Sequence, residues 1–575
     1  MEVVRRTAGL LAALVLLAAA VVLVFGPFPR TPDPGPPAVG SPPWTDQGRA
    51  VALVAHPEAA GDLAWVDLLE SVFGGIDVLD ADDPATVTRA AATDRALVVI
   101  GHETVRRSEP VDWTSLDAFV DAGGTLLLET PEGPWAELAG VEVASVERRD
   151  RAPWPGPRTP ATAFVVDGTG GSPGSIPPVS LRVPLSSWRY GPRREGGNPA
   201  RPWIAAGGRP AVWSRATGRG AIVAVSHHLS RLAIDLAEGP PSGAAPDHAW
   251  TDAWTQVLLG PDAAPWPWPR WSNAPAGDDG WLLLCAPDTA TVDGPVTRFV
   301  RAGSGASADA DGIETIWPRP TAWDEVPPAL RREVHWGPLP VFREIRSTAE
   351  QVGMLRDAVD APLHRFVDRR PDEVGIVRAA LVTAGVRADL SQGPGRGATG
   401  GFAAGTGRPR TPFSATGGRL EFVELPHLAR WETIDVDRLT IWTRNNARGA
   451  AGPLTVHVDD LRATEPSRAR FAEHRVAGVE DFLDWWDGRR RARLHWGRDR
   501  DRLVVSVDVP SDLAPGLALL LPRAWRDRVL VDWSAPWSPA RSRRVRRHDG
   551  TPWLEIEVPA GTRAALRATY APMRP

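Results

Sequence analysis

The stretch Trp281-Leu-Leu-Leu-Cys-Ala-Pro-Asp-Thr-Ala-Thr-Val-Asp-Gly294 joins an unbroken apolar run to two aspartates. A short run without polar alternation suits a strand covered on both faces, so Leu282 to Leu284 reads as buried. The loop that follows carries Asp288 and Asp293 beyond the strand's C-terminal end. Cys285 is the single cysteine of the chain, which excludes an intramolecular disulfide and any Cys-only metal site. At the end of an apolar strand it is expected to be a buried, inert thiol rather than a nucleophile.

Outward from this stretch, strands alternate with helical segments in both directions. Ala50 to Ala55, Ile76 to Leu79, Ala96 to Ile100, Thr125 to Leu128 and Gly220 to Ser226 are apolar runs of strand length. Asp62 to Phe73 has apolar residues at helical spacing. Such alternation predicts a parallel sheet with covered faces. Ala264 to Trp271 is rich in Pro and Trp and reads as a connector, because proline cannot donate to a ladder. On the C-terminal side the sequence predicts a helix from Val296 to Ala302, a strand from Gly312 to Ile316, and helices over 345–359 and 373–384. After Asp501 strand-like segments dominate, with turn-rich spacers between them.

At 575 residues the chain exceeds one ordinary core. Its formal net charge of −5 gives no basic footprint, so nucleic acid is not an expected partner. All 65 basic residues are arginine, a bias of composition rather than of a site. The 26 tryptophans stand beside only two tyrosines, so most are expected to fill core positions. Ala8 to Phe25 is free of charge and preceded by Arg5 and Arg6. That length and flank predict a signal anchor with the bulk of the chain extracytoplasmic, a cleaved signal peptide being the other reading.

The segment Leu116-Asp-Ala-Phe-Val-Asp-Ala-Gly-Gly-Thr-Leu-Leu-Leu128 resembles class I glutamine-amidotransferase-like domains, in which a helix stops on two glycines before a strand. The resemblance implies a flavodoxin-like parallel domain. Its cysteine nucleophile is missing, so amidotransferase catalysis is not expected. His227 and His228, past the Ala221–Ser226 strand, read as polar groups at a sheet end.

Five ordered segments resemble NodB-type polysaccharide deacetylases. They are Gly385-Val-Arg-Ala-Asp-Leu-Ser391, Gly401 to Phe413, Leu420-Glu-Phe-Val-Glu-Leu-Pro426, Leu454-Thr-Val-His457 and Phe482-Leu-Asp-Trp-Trp-Asp-Gly-Arg489. The resemblance implies a (β/α) barrel in which a metal activates water against an N-acetyl carbonyl. It carries Asp288 to the catalytic carboxylate and His457 to the late acid. Asp293 and His335 become metal ligands, although Asp288 and Asp293 can exchange places. Trp336, beside His335, is the candidate for substrate stacking. Glu333-Val-His-Trp-Gly-Pro-Leu-Pro340 resembles the second motif, but Leu339 replaces its other histidine. His364 and Asp368 would share a face if their segment were helical, against a solvated basic helix end. With half of the usual zinc ligands missing, the cofactor expectation is none, or a weakly bound divalent metal of zinc type.

These readings predict an α/β multidomain chain. Residues 1–7 form a cytoplasmic tail, 8–26 a transmembrane helix, 27–48 a stalk, and 49–245 the amidotransferase-like parallel α/β domain. Residues 246–277 form the connector, 278–500 an incomplete (β/α) barrel of deacetylase type, and 501–575 a small β-sandwich. The expected function is a degenerate deacetylase that binds or organises envelope polysaccharide or pairs with another envelope protein. The alternative is an active N-deacetylase. Protease added to spheroplasts is expected to degrade everything after Arg30, as an extracytoplasmic chain requires.

Overall fold

Ala50 to Ala55 is apolar at every position, and in the computed structural model it enters the most buried part of a nine-stranded sheet. The structure describes most of residues 49–147, 187–230, 268–287 and 474–573. Between these it describes 163–167, 180–182, 297–301, 313–317, 363–367, 386–390, 409, 411, 422–425, 427–430 and 453–457. The segment Ala8–Phe25 lies outside the described residues, and among those described no helix is long and apolar enough to cross a membrane.

The N-terminal part contains β1 (Val51–Ala55), α1 (Ala60–Phe73), β2 (Asp77–Asp80), α2 (Thr86–Ala90), β3 (Leu97–Ile100), α3 (His102–Arg107), α4 (Trp113–Asp121), β4 (Thr125–Glu129) and α5 (Gly133–Ala139). Further strands are β5 (Val141–Glu147), β6 (Ala163–Asp167), β7 (Ser180–Arg182), β8 (Ser187–Pro192), β9 (Arg201–Ala206), β10 (Arg209–Thr217) and β11 (Gly220–Val225). The sheet order is β2-β1-β3-β4-β11-β10-β9-β6-β7. Its first five strands are parallel. From β11 onward the pairings are antiparallel. The expected parallel α/β domain is therefore corrected to a mixed sheet. Arg209 to Thr217 turns back on β11 through Gly218, which permits the hairpin with φ of 54°.

The central part holds β12 (Arg270–Trp271), β13 (Gly280–Pro287), β14 (Thr297–Arg301), β15 (Ile313–Trp317), β16 (Leu363–Val367), β17 (Val386–Asp389), β18 (Val423–Glu424), β19 (His427–Arg430), β20 (Leu454–His457), β21 (His474–Ala477) and α6 (Val479–Arg491). The sheet runs β18-β17-β16-β15-β14-β13-β20-β19, with β21 also on β13. β15 is antiparallel to both neighbours, a pairing that a (β/α) barrel lacks. No helix separates its strands among the described residues before α6. The expected barrel is corrected accordingly, and with it the α/β class: the described residues are dominated by strands. Residues 297–301 form β14 rather than a helix, because β-branched Thr297 and Val300 and the aromatic Phe299 suit a pleated strand.

The C-terminal strands are β22 (Arg493–Asp499), β23 (Arg502–Asp508), β24 (Leu517–Pro522), β25 (Ala524–Trp525), β26 (Arg528–Ser534), β27 (Ser542–Arg546), β28 (Pro552–Val558) and β29 (Arg563–Pro572). They form a five-stranded sheet, β22-β23-β29-β26-β25, and a four-stranded one, β12-β24-β28-β27. The connector thus contributes an edge strand, with Arg270 paired to Leu520 and Trp271 to Leu519. One apolar core extends from Leu53 and Trp65 through Trp271, Leu283 and Trp485 to Leu519 and Tyr570, and a second gathers Val98, Phe119, Leu126, Leu128 and Trp213.

Arg489 crosses the first core. It is 0% exposed, and its guanidinium donates to the carbonyls of Glu70 and Ser71 on α1, of Trp271 at the end of β12 and of Ser272 just after it, at 2.7 to 3.3 Å. Its charge lies 5.0 Å from the Trp486 ring centre. Gly74 follows α1 with φ of 77°, and a Cβ there would stand 2.9 Å from the Arg489 carbonyl oxygen. α6 packs Phe482 and Trp485 against Trp281 on β13, with ring centres 5.5 and 5.2 Å apart. Arg489→Met is expected to cost about 3–5 kcal/mol, because four buried carbonyls lose a charged donor. Arg387→Ala, which removes part-exposed pairs with Asp484 and Asp487, is expected to cost less than about 1 kcal/mol. Urea denaturation of the two variants compares them.

Candidate functional site

All described strands of the central sheet except β15 run in one direction. Their C-terminal ends consequently share one edge. β13 reaches it with Cys285 paired to His457 on β20, and His457 is also paired to Arg430 on β19. On the other arm of the sheet Asp389 ends β17 opposite Glu424, which ends β18. Glu424 is buried. The segments that carry these residues are those whose motifs drew notice in the sequence, and the topology delivers His457, Asp389 and Glu424 to the same side.

Cys285 is 1% exposed, and burial pushes its thiol far above the ordinary range, so it stays protonated. It is therefore a poor metal ligand and a poor nucleophile. Asp288, Asp293, His335 and Trp336 lie outside the described residues. Among the described residues, no three His, Cys, Asp or Glu side chains come close enough to hold a metal ion. His364 falls on β16, a strand rather than a helix. The helix that both readings of His364 and Asp368 assumed is therefore corrected, and Asp368 lies outside the described residues.

A second polar edge lies on the N-terminal sheet, at the C-terminal ends of its parallel strands. Ligands of open parallel sheets bind at such ends, where the strand order reverses. Here the reversal falls between β1 and β3. Asp62 in the first turn of α1 fills that crevice: it is fully buried and accepts from the backbone N–H of Glu103 and Thr104 and the Thr104 hydroxyl, at 2.7 to 2.8 Å. The start of α3 is thereby capped from within the chain. Gly101 allows this approach, since a Cβ there would stand 2.3 Å from Asp62 Cγ.

Next to it Glu129, at the end of β4, accepts from Trp65 Nε1 at 2.7 Å, His102 N at 3.2 Å and Ser230 N at 2.8 Å, and from the Ser230 hydroxyl. Burial raises its carboxyl to about 7, against the downward pull of these donors. The imidazole of His102 lies 4.1 Å from that of His228 between ring centres. His227 meets Ser226 Oγ at 2.8 Å, and burial lowers its pKa to about 4. Sequence reading singled out His227 and His228 but missed Asp62, His102 and Glu129. Glu129 ends the apolar run Thr125 to Leu128, and a carboxylate in that position was the available signal.

No family model matches the chain, and no curated protein matches it. Among solved structures it is similar to Agd3, a carbohydrate deacetylase, at 10% identity over 92% of this chain and 100% of that one, with a TM-score of 0.42. It is also similar to the exo-β-1,4-mannosidase Op5Man5 from Opitutaceae bacterium strain TAV5, at 15% identity over 37% and 35% of the two chains, TM-score 0.21. A β-galactosidase from Rahnella sp. R3 shares 12% identity over 47% and 35%, TM-score 0.24. The chain spans about a third of the length of these two glycosidases. Likeness at this level concerns chain path and supplies no argument about chemistry. The amidotransferase-like reading has no counterpart among these findings.

Glu129 generates a pH dependence. Its folded pKa of about 7 exceeds the ordinary 4.5, so the folded state binds the extra proton between these values. The associated stability, on the order of 3 kcal/mol, is complete below pH 4.5 and is lost as pH rises through 7. Glu129→Gln is expected to flatten the pH profile of unfolding between pH 5 and 8, as measured by urea midpoints.

Proposed function

We propose that the protein is a polysaccharide-deacetylase-like module that binds an N-acetylated envelope glycan and has lost the full metal site. The observation that carries this is the common edge of the central sheet, where His457, Asp389 and Glu424 stand at strand ends and β13 exits toward Asp288 and Asp293. A carboxylate on the β13 loop and a histidine on β20 suit attack on an amide carbonyl and protonation of the departing amine. The inert thiol of Cys285, where the family's aspartate motif begins, favours binding without turnover. His335 and one of Asp288 and Asp293 would hold a divalent metal only weakly, because zinc sites take three or four protein ligands. Trp336 would stack on a sugar ring. The apolar segment Ala8–Phe25 would hold the module at the membrane, beside glycan or another envelope protein.

The alternative, an active N-deacetylase, rests on the same edge. Purified full-length protein incubated with an N-acetylglucosamine oligosaccharide distinguishes the two. The module is expected to bind the oligosaccharide, to carry well under one zinc per chain and to release no acetate, and His457→Ala should weaken binding about tenfold. Stoichiometric zinc with acetate release that vanishes in His335→Ala would establish the enzyme instead. Neither binding nor release would dismiss both.

A further inference from the structure

β27 is an arginine-rich strand at an open sheet edge. Arg541-Ser-Arg-Arg-Val-Arg-Arg547 sets five arginines in seven residues with no acid among them, in a chain whose formal net charge is −5. Among the described strands β27 pairs only with β28 and so ends its sheet. The ladder fixes which main-chain groups are left over. The N–H of Glu557 donates to the carbonyl of Arg541 at 3.0 Å, so these two residues form a hydrogen-bonded pair. Such pairs recur at every second residue of an antiparallel ladder, which commits the backbone of Arg543 and Val545 to β28. The N–H and C=O groups of Ser542, Arg544 and Arg546 consequently point out of the sheet, where no described strand meets them.

Arg543 is already engaged. It pairs with Glu555 at 2.7 Å and with Asp279 at 3.3 Å and donates to the Asp278 carbonyl, which fastens the strand to the segment between β12 and β13. Arg541 and Arg544 are exposed and make no ion pair among the described residues. With a period of two they fall on opposite sides of the strand, so their charges flank the free edge rather than cover one face. Charge on an edge deters neutral and basic strands and leaves acidic ones. A second copy of β27 is a poor occupant, because arginine would oppose arginine and like charges directly opposite destabilise a ladder. A membrane surface or a flat polyanion would meet one side of the strand only. An extended polypeptide offers donors and acceptors at the two-residue repeat of the edge, roughly 7 Å.

We propose that the β27 edge is a docking site for an acidic, extended segment of a partner protein, which adds as a further strand to the sheet β12-β24-β28-β27. Main-chain groups of that segment bond to the outward groups of Ser542 and Arg544, and a carboxylate opposite Arg544 pairs with its guanidinium. A carboxylate on the alternate side of the added strand reaches Arg541. The partner is thus defined by Asp and Glu at alternating positions in a stretch free of proline, which cannot donate to a ladder. Exposed ion pairs are individually weak, so the charges set direction and register while the main-chain bonds supply most of the affinity.

This surface lies on a different sheet from the deacetylase edge and uses none of its residues, so acetate release and the following titration fail independently. Full-length protein is titrated calorimetrically with a capped Glu-Thr-Glu-Val-Glu-Thr-Glu peptide, with its counterpart carrying Lys for Glu, and with the acidic peptide N-methylated at each glutamate. Trigalacturonate and phosphatidylglycerol vesicles test an acidic glycan and an anionic membrane. The acidic peptide should bind, and the lysine and N-methylated peptides should not. Arg544→Ala should weaken binding at least tenfold. Ser542→Pro removes one outward N–H, leaves every arginine and is tolerated on an edge; it should show a similar loss, and both variants should keep the melting temperature. If Ser542→Pro disturbs the strand, the N-methylated peptide reads the same main-chain bonds on the unaltered protein. Absence of binding, full affinity of the N-methylated peptide, or equal binding of trigalacturonate or of vesicles would overturn the proposal.

Discussion

The buried guanidinium of Arg489 holds this molecule together. A charge removed from water is tolerated only when its donors are met, and here four carbonyls meet them. Two belong to the last turn of α1, where the helix dipole is negative and welcomes a cation. The other two belong to the end of β12 and the residue after it. From Arg489 the connection continues through α6 to Trp281, and hence to β13 and the edge that carries His457. Gly74 and Gly75 contribute by being small: a side chain at either would collide with the backbone oxygens of Arg489 or Arg490. Arg490 adds an ion pair to Glu70 at 2.9 Å. The N-terminal sheet, the central sheet and the C-terminal strands consequently share one core.

Much of this was legible as elements and little as architecture. Asp62 to Phe73 reads as a helix because its apolar residues recur at helical spacing, and α1 covers the same residues. Leu454 to His457 and the strands after Asp501 were equally plain, since β-branched and apolar runs bounded by turns have few other uses. Strand direction was not legible. Whether β15 runs with or against β14 depends on the chain between them, and 297–301 fits a short helix as well as a strand on periodicity alone. The α/β reading followed from assuming that alternating segments always cross over in parallel. The hairpins of β9, β10 and β11 break that assumption.

The candidate edge was partly visible for the same reason. Motif residues such as Asp389, Glu424 and His457 are marked by the strands that precede them, and strands of one direction bring their ends together. The N-terminal edge was hidden, because Asp62 and His102 look like ordinary surface residues of helices. Only the topology shows that they meet. Asp62 and Glu129 are committed to backbone donors of their own chain, and their environment is a lattice of internal bonds. A carboxylate so engaged stabilises a fold and has little left for a substrate.

The separation between Arg489 and its partners has a consequence for the order in which the protein is made. Glu70 and Arg489 are 419 residues apart. At 5–20 residues per second, α1 emerges from the ribosome roughly 20 to 80 s before the side chain that completes its C-terminal end. Trp271 and Ser272 arrive midway and wait as well. The N-terminal sheet therefore begins life with an exposed seam of apolar surface and unmet carbonyls that only the last fifth of the chain can close. Synthesis cut short before α6 leaves that seam open, so a truncated product should be a target for chaperones and proteases rather than a smaller working version of the protein.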